Sequence, residues 1–171
     1  MRTLALALSL TMLTACATQP DAPATDTRTA AEVHDDKLDI AEQIFRSLLA
    51  KNESTDQANE KPAVLCLNGK RSPNDAFMAR FHDFAPRVHR CADGKTGTLK
   101  GSRDMPEFQL RTTNEPALQF TVSDIDIKTP THATAKAEYY EAGLSAGGWT
   151  FELDKTAAGW VVTSRKMDWI S

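Results

Sequence analysis

An α+β domain, with amino-terminal helices packed on a curved antiparallel sheet, is the fold this sequence predicts, and three observations predict it. From Glu115 to Ser171 apolar and polar residues alternate in four successive runs, the period of a strand. Ahead of them, a stretch starting near Asp35 and Asp36 repeats apolar residues at helical spacing. The chain has 171 residues, 41% hydrophobic and 25% charged, which suits one domain able to bury a core and leaves little for a second.

In chain order, Arg2 and the apolar run from Leu4 to Leu13 have the basic start and short hydrophobic segment of a secretory signal, expected over residues 1–15. The run is too short to cross a bilayer. At its end Leu13-Thr14-Ala15-Cys16 resembles the lipobox of bacterial lipoproteins: an aliphatic residue, a small one, Ala or Gly, then Cys. That resemblance implies that Cys16 is the first mature residue, with diacylglycerol on its thiol and usually a further acyl chain on its amine. Two or more chains anchor a protein stably. By the same resemblance, Ala17 in place of Asp after the cysteine implies an outer-membrane address, with the domain facing the periplasm. An ordinary signal peptide with a chance cysteine is the competing reading.

Residues 16–31 follow as lipidated cysteine and tether, rich in Ala, Thr, Asp, Gln and Pro and without a periodic apolar face. The single domain is expected over 32–171. Net charge is -3, and loss of Arg2 with the signal makes it -4. With a pI near 5.8, nucleic acid is a poor partner.

Leu38, Ala41, Ile44, Phe45, Leu48 and Leu49 form one stripe of the first helix, the opposite face being charged. Such a stripe must be buried, and the apolar side of the sheet is the partner it requires. Ala63-Val64-Leu65-Cys66-Leu67 reads as a short strand ended by Asn68-Gly69. A second helix is expected from Ser72 as cap, Pro73 in the first turn and Asp75 beside the dipole, with Phe77, Phe81 and Phe84 at helical spacing and Pro86 as its end. Arg87 to Cys91 reads as extended, Ala92 to Arg103 as a glycine-containing loop, and Phe108 to Arg111 as an edge strand. Lys100, Arg103 and Arg111 are interleaved with acids and read as a solvated face.

With Cys16 assigned to lipid, Cys66 and Cys91 are the pair left, in a compartment that favours disulfides. They are expected to be bonded. Metal ligation or a redox pair are the alternatives, and the absence of a Cys-x-x-Cys or Cys/His cluster weighs against both.

Leu118, Phe120 and Val122 alternate with polar residues, and Ile125 and Ile127 do so in the opposite phase, which predicts a bulge near Ser123-Asp124. Ala133 to Tyr139, Trp149 to Leu153, and Trp160 to Ile170 supply the remaining strands of a meander. Trp169 and Ile170 are expected to be buried in the last one. The stretch Ala137 to Phe151, with Val64-Leu65-Cys66-Leu67, Pro73 to Phe81, Cys91, Trp160-Val161-Val162 and the ending Met167-Asp168-Trp169-Ile170-Ser171, resembles a group of uncharacterised bacterial exported lipoproteins to which no activity is attached.

More remotely, the element order resembles the cystatin-like α+β roll of nuclear transport factor two and the SnoaL-like proteins. That likeness implies a cone whose mouth can host a site, with Asp124, Asp126, His132, Tyr139, Tyr140 and Glu152 as the candidates. Polar residues at a bulge and on the wet side of a sheet account for most of the same residues without any chemistry. The four histidines are scattered, no nucleophile elbow or phosphate loop is present, and no motif asks for a cofactor or metal. The expected function is therefore a membrane-anchored envelope lipoprotein acting as a non-catalytic binding or scaffolding module for an envelope protein or polymer. A small-molecule-binding or small-molecule-converting enzyme of the SnoaL-like type is the alternative. An exposed apolar patch near Leu144 to Trp149 would favour the binding module.

Overall fold

The computed structural model describes residues 28–51, 61–85, 87–99, 101 and 105–171. Cys16, the signal segment, most of the tether, Pro86, Lys100 and Arg103 lie outside them. Helix α1 spans Ala30–Leu49 and starts earlier than the composition implies, within the stretch assigned to the tether. Thr29 and Glu32 form a reciprocal capping box there, satisfying amides that Asp35 or Asp36 was expected to serve. The predicted stripe is buried as read, with Ile40 added to it.

Eight strands follow: β1 (Ala63–Leu67), β2 (Val88–Arg90), β3 (Gly94–Thr98), β4 (Pro106–Leu110), β5 (Leu118–Thr129), β6 (His132–Ala142), β7 (Ser145–Thr156) and β8 (Gly159–Ile170). The four long ones, β5 to β8, are the predicted antiparallel meander, with a register shift between Ser123 and Asp126 and Asp124 at φ 51°. The expectation of several helices on a curved antiparallel sheet is corrected elsewhere. Strand takes 52% and helix 24% of the structure, and one long helix accompanies an eight-stranded mixed sheet.

Three local facts produce the difference. First, β1 runs parallel to both β2 and β5. All five of its residues are buried, so its unbroken apolar run is that of an interior parallel strand covered on both faces. Second, α2 is only Asp75–Ala79. Asn74 caps it by accepting from the Phe77 amide, while Ser72 Oγ, the expected cap, accepts from the Ala92 amide. Third, Gly94–Thr98 is a strand, paired antiparallel with β4. It lies where the glycines pointed to a loop; a Cβ on Gly94 would stand 2.3 Å from Phe108 Cζ, so the glycine is there for close approach. β4 is therefore paired on both sides, and its link to β6 is through Glu107 and Ala142.

The helix side of the sheet is filled. Phe45, Phe77 and Phe81 meet edge to face or tilted and join Phe120, Phe151, Trp149 and Trp160 in the main core. Arg46 bridges Glu42 and Asp83, and Arg80 bridges Asp39 and Glu42, tying α1 to the segment after α2. On the other side, Val64, Cys66, Phe108, Leu110 and Ala117 form a second, smaller core beneath the β3–β4 hairpin. The Cys66–Cys91 disulfide, expected from the cysteine count, is formed and joins β1 to the start of that hairpin.

Candidate functional site

The six candidate residues do not converge. Ala133, Ala135, Ala137 and Tyr139 of β6 are buried on the helix side, so His132, Thr134, Glu138 and Tyr140 project from the opposite side. Asp126 and Glu152 are both register partners of Thr134 and share that outer side. Each is exposed there. Asp126 pairs with Lys128, and His132 Nδ1 lies 2.8 Å from Asp154 Oδ1 across the β6–β7 ladder. Tyr139 faces inward and stacks on Trp149 with centroids 5.6 Å apart. Arg165 covers the other exposed approach to Trp149, its guanidinium 3.9 Å from the ring centroid. The interior that was to host a site is thus packed with aromatic rings.

Asp124 and Asp126 share an open hollow on the outer side with Thr134 and Lys136, and another lies between Lys70, Cys91 and Arg111. Two open surfaces stand out. One is the edge of the sheet at β8, which pairs with β7 alone among the described strands. Its last turn of residues is exposed: Met167 by 51%, Trp169 by 43% and Ile170 by 65%, with Leu144 of the neighbouring β6–β7 turn at 73%. Trp169 is the register partner of Gly148 and lies on the outer face; Ile170 is the partner of Gly147 and Met167 of Trp149, on the inner face. The apolar side chains therefore straddle the edge. Trp149 itself is buried, so the expected patch from Leu144 to Trp149 is reduced to Leu144 and moved onto β8. Beside Trp169 runs a groove of about 280 Å³, lined by Lys70, Gln119, Thr121, Glu138 and Tyr140. Burial holds the Tyr140 phenol above its ordinary pKa, and its ring meets Phe108 edge to face.

The other open surface is a cleft of about 250 Å³ between the first turns of α1, the end of β1 and the bulge of β5. Leu38, Leu67, Val122 and Ile125 supply its apolar part; His34, Lys37, Arg71, Asn68 and Asp124 its polar part. Asn68 and Asp124 both have positive φ, 45° and 51°, a conformation Asn and Asp tolerate better than other side chains.

No protein-family model, no curated protein and no solved structure matches the chain. The site must be read from its own residues.

Sequence reasoning also missed a buried carboxylate. Asp36, assigned to a cap, sits on the apolar face and accepts from Trp160 Nε1 at 2.9 Å, Lys155 Nζ at 2.6 Å and Arg28 Nη1 at 2.5 Å. Burial raises its pKa, but the hydrogen bonds from Lys155, Trp160 and Arg28 and the charge of Lys155 outweigh this and leave it lowered. The signal was present in the sequence: Asp36, Ile40, Ile44 and Leu48 recur every fourth residue, which places the acid on the stripe. Glu141 is similar. It is buried at the end of β6, accepts from Ser145 Oγ at 2.7 Å and pairs with Lys61. Both carboxylates have structural partners that occupy them. Among the described residues no group of three or more His, Cys, Asp and Glu side chains is disposed to hold a metal ion.

Proposed function

We propose that this chain is a lipid-anchored envelope protein whose domain is a non-catalytic binding module, and that it takes an extended segment of an envelope protein along the free edge of β8. One observation carries the reading. A strand of twelve residues, Gly159–Ile170, pairs on one edge only among the described strands and displays Met167, Trp169 and Ile170 on both faces at its end. A folded domain normally protects such an edge with short length, charge or a cover. An added strand would satisfy the backbone groups of the edge and bury side chains on both faces, while the groove beside Trp169 would receive one side chain of the partner.

The lipobox-like segment ending in Cys16 and the spacer after it support the same role, since lipid on Cys16 would hold the domain at a bilayer surface, by the resemblance the outer membrane, facing the periplasm. The net charge gives no attraction to nucleic acid. The filled helix side of the sheet favours binding over turnover.

Lysine-directed crosslinking in native envelopes, read by mass spectrometry, tests the proposal. Lys166 of β8 is expected to link to one envelope protein, and the yield is expected to fall when Trp169→Ala and Ile170→Ser are combined. Links confined to Lys128, at the opposite end of the sheet from Ile170, would redirect the reading to another surface.

A further inference from the structure

We propose that the cleft between α1 and the β5 bulge binds a small amphipathic oxyanion, a carboxylate or phosphate head on a short aliphatic body. Its two parts have different chemistry. Leu38, Leu67, Val122 and Ile125 offer an apolar floor, and Lys37, Arg71 and His34 surround it from two separate elements. Several other cations of the domain are committed to carboxylates: Arg28 and Lys155 to Asp36, Arg46 to Glu42 and Asp83, Lys61 to Glu141, and Arg80 to Asp39 and Glu42. Lys37 and Arg71 have no carboxylate partner among the described residues. With Lys37 and Arg71 against one lining carboxylate, Asp124, the cleft carries an excess of positive charge beside an apolar floor, which selects a ligand that brings a negative head and a hydrocarbon body together.

The shape of the cleft is fixed by the backbone. The Asn68 amide donates to the Val122 carbonyl at 2.9 Å, and the positive φ of Asn68 and Asp124 sets the turn after β1 and the bulge of β5 that border the cleft. At about 250 Å³ the space lies below the range of about 300–1,000 Å³ usual for drug-sized ligands, so only a few carbons fit. Asp124, on the rim, disfavours heads of high negative charge and sets the selectivity.

The test is calorimetric titration of the full chain in neutral lipid nanodiscs, with empty discs subtracted, using pentanoate and pentyl phosphate as probes. Saturable one-to-one binding of at least one probe is expected, with pentylammonium inert. Lys37→Gln and Arg71→Gln should each weaken it about tenfold, the loss of one charge-assisted hydrogen bond, and Asp124→Asn should strengthen it. All three side chains are exposed, so the variants are expected to fold. No saturable binding of either probe, equal binding of pentylammonium, or affinity unchanged in the Lys37→Gln and Arg71→Gln variants would each overturn the proposal.

Discussion

Gly148 and Trp169 face each other across the β7–β8 ladder, and the indole lies so close that a Cβ on Gly148 would stand 2.3 Å from Trp169 Nε1. Gly148 is thereby explained, and its neighbour Gly147 leaves room for the Tyr139 ring on the inner face, where a Cβ would stand 2.8 Å from Cε1. Gly148 lets a large ring lie flat on the outer face at the open edge, next to the groove that holds Tyr140. Gly148→Ala is expected to lift the indole from this position with little change in melting temperature. A shift of one indole N–H resonance, together with weaker partner crosslinking, is the readout.

The end of β8 is expected to contribute little to stability, against the sequence-based expectation that Trp169 and Ile170 are buried. Ile170→Ala should change unfolding free energy by less than about 1 kcal/mol, as substitutions on an exposed surface do, and Trp169→Ala, whose ring is partly covered against Gly148, by about 1–2 kcal/mol. Chemical denaturation measures this, and a loss of several kcal/mol would return the tail to the core.

Asp36 should behave in the opposite way. Asp36→Ala strands the Trp160 indole N–H and the Lys155 ammonium and is expected to cost about 2–4 kcal/mol. The folded pKa is lowered from the ordinary 3.8, so its contribution is present in full above that value and is lost as pH falls through the folded pKa. Urea titrations between pH 7 and pH 2 are expected to show acid destabilisation that is smaller in Asp36→Asn.

Reduction of Cys66–Cys91, which are 25 residues apart, should lower stability by about 3–4 kcal/mol on the chain-entropy model. It should also loosen the β3–β4 hairpin, which the bridge ties to β1. Thermal melts with and without dithiothreitol check the first effect. Amide exchange at residues 94–98 and 106–110 checks the second.

The sequence made the meander legible because strands with one wet face alternate, and Leu118 to Val122, Ala133 to Tyr139 and Trp149 to Leu153 do so without exception. It marked β1 as a short strand, Ala63–Leu67, but not its parallel pairing: a strand covered on both faces has no period to say which face meets what, and Val64 and Cys66 pack against Phe108 while Leu65 packs on the helix side. It misled at Gly94–Thr98, where glycine signals close packing beneath Phe108 and not a loop. Of the candidate residues, Tyr140, Asp124 and Asp126 do line open surfaces. Asp126, His132 and Glu152 stand on the exposed outer side, and Tyr139 is buried in the core, because alternation separates neighbours to opposite faces. Lys37 and Arg71 carry no signal in one dimension; only the fold brings them to one cleft.

The lipid anchor has its own test. Cys16→Ser, expressed in a Gram-negative host, is expected to lose acylation and leave the membrane fraction. Retention that still requires detergent would contradict the anchor while leaving the β8 edge untouched.

The central claim, strand addition at β8, is tested most directly by placing a photo-crosslinking amino acid in turn at Val161, Met167, Trp169 and Ile170 in living cells, with Lys128 as the comparison site. The account expects β8 positions from both faces of the sheet to capture the same short segment of one envelope protein, with the captured residues advancing in step along it. Adducts that scatter over unrelated proteins, join only copies of this chain, or arise as readily from Lys128 as from Ile170 would contradict it.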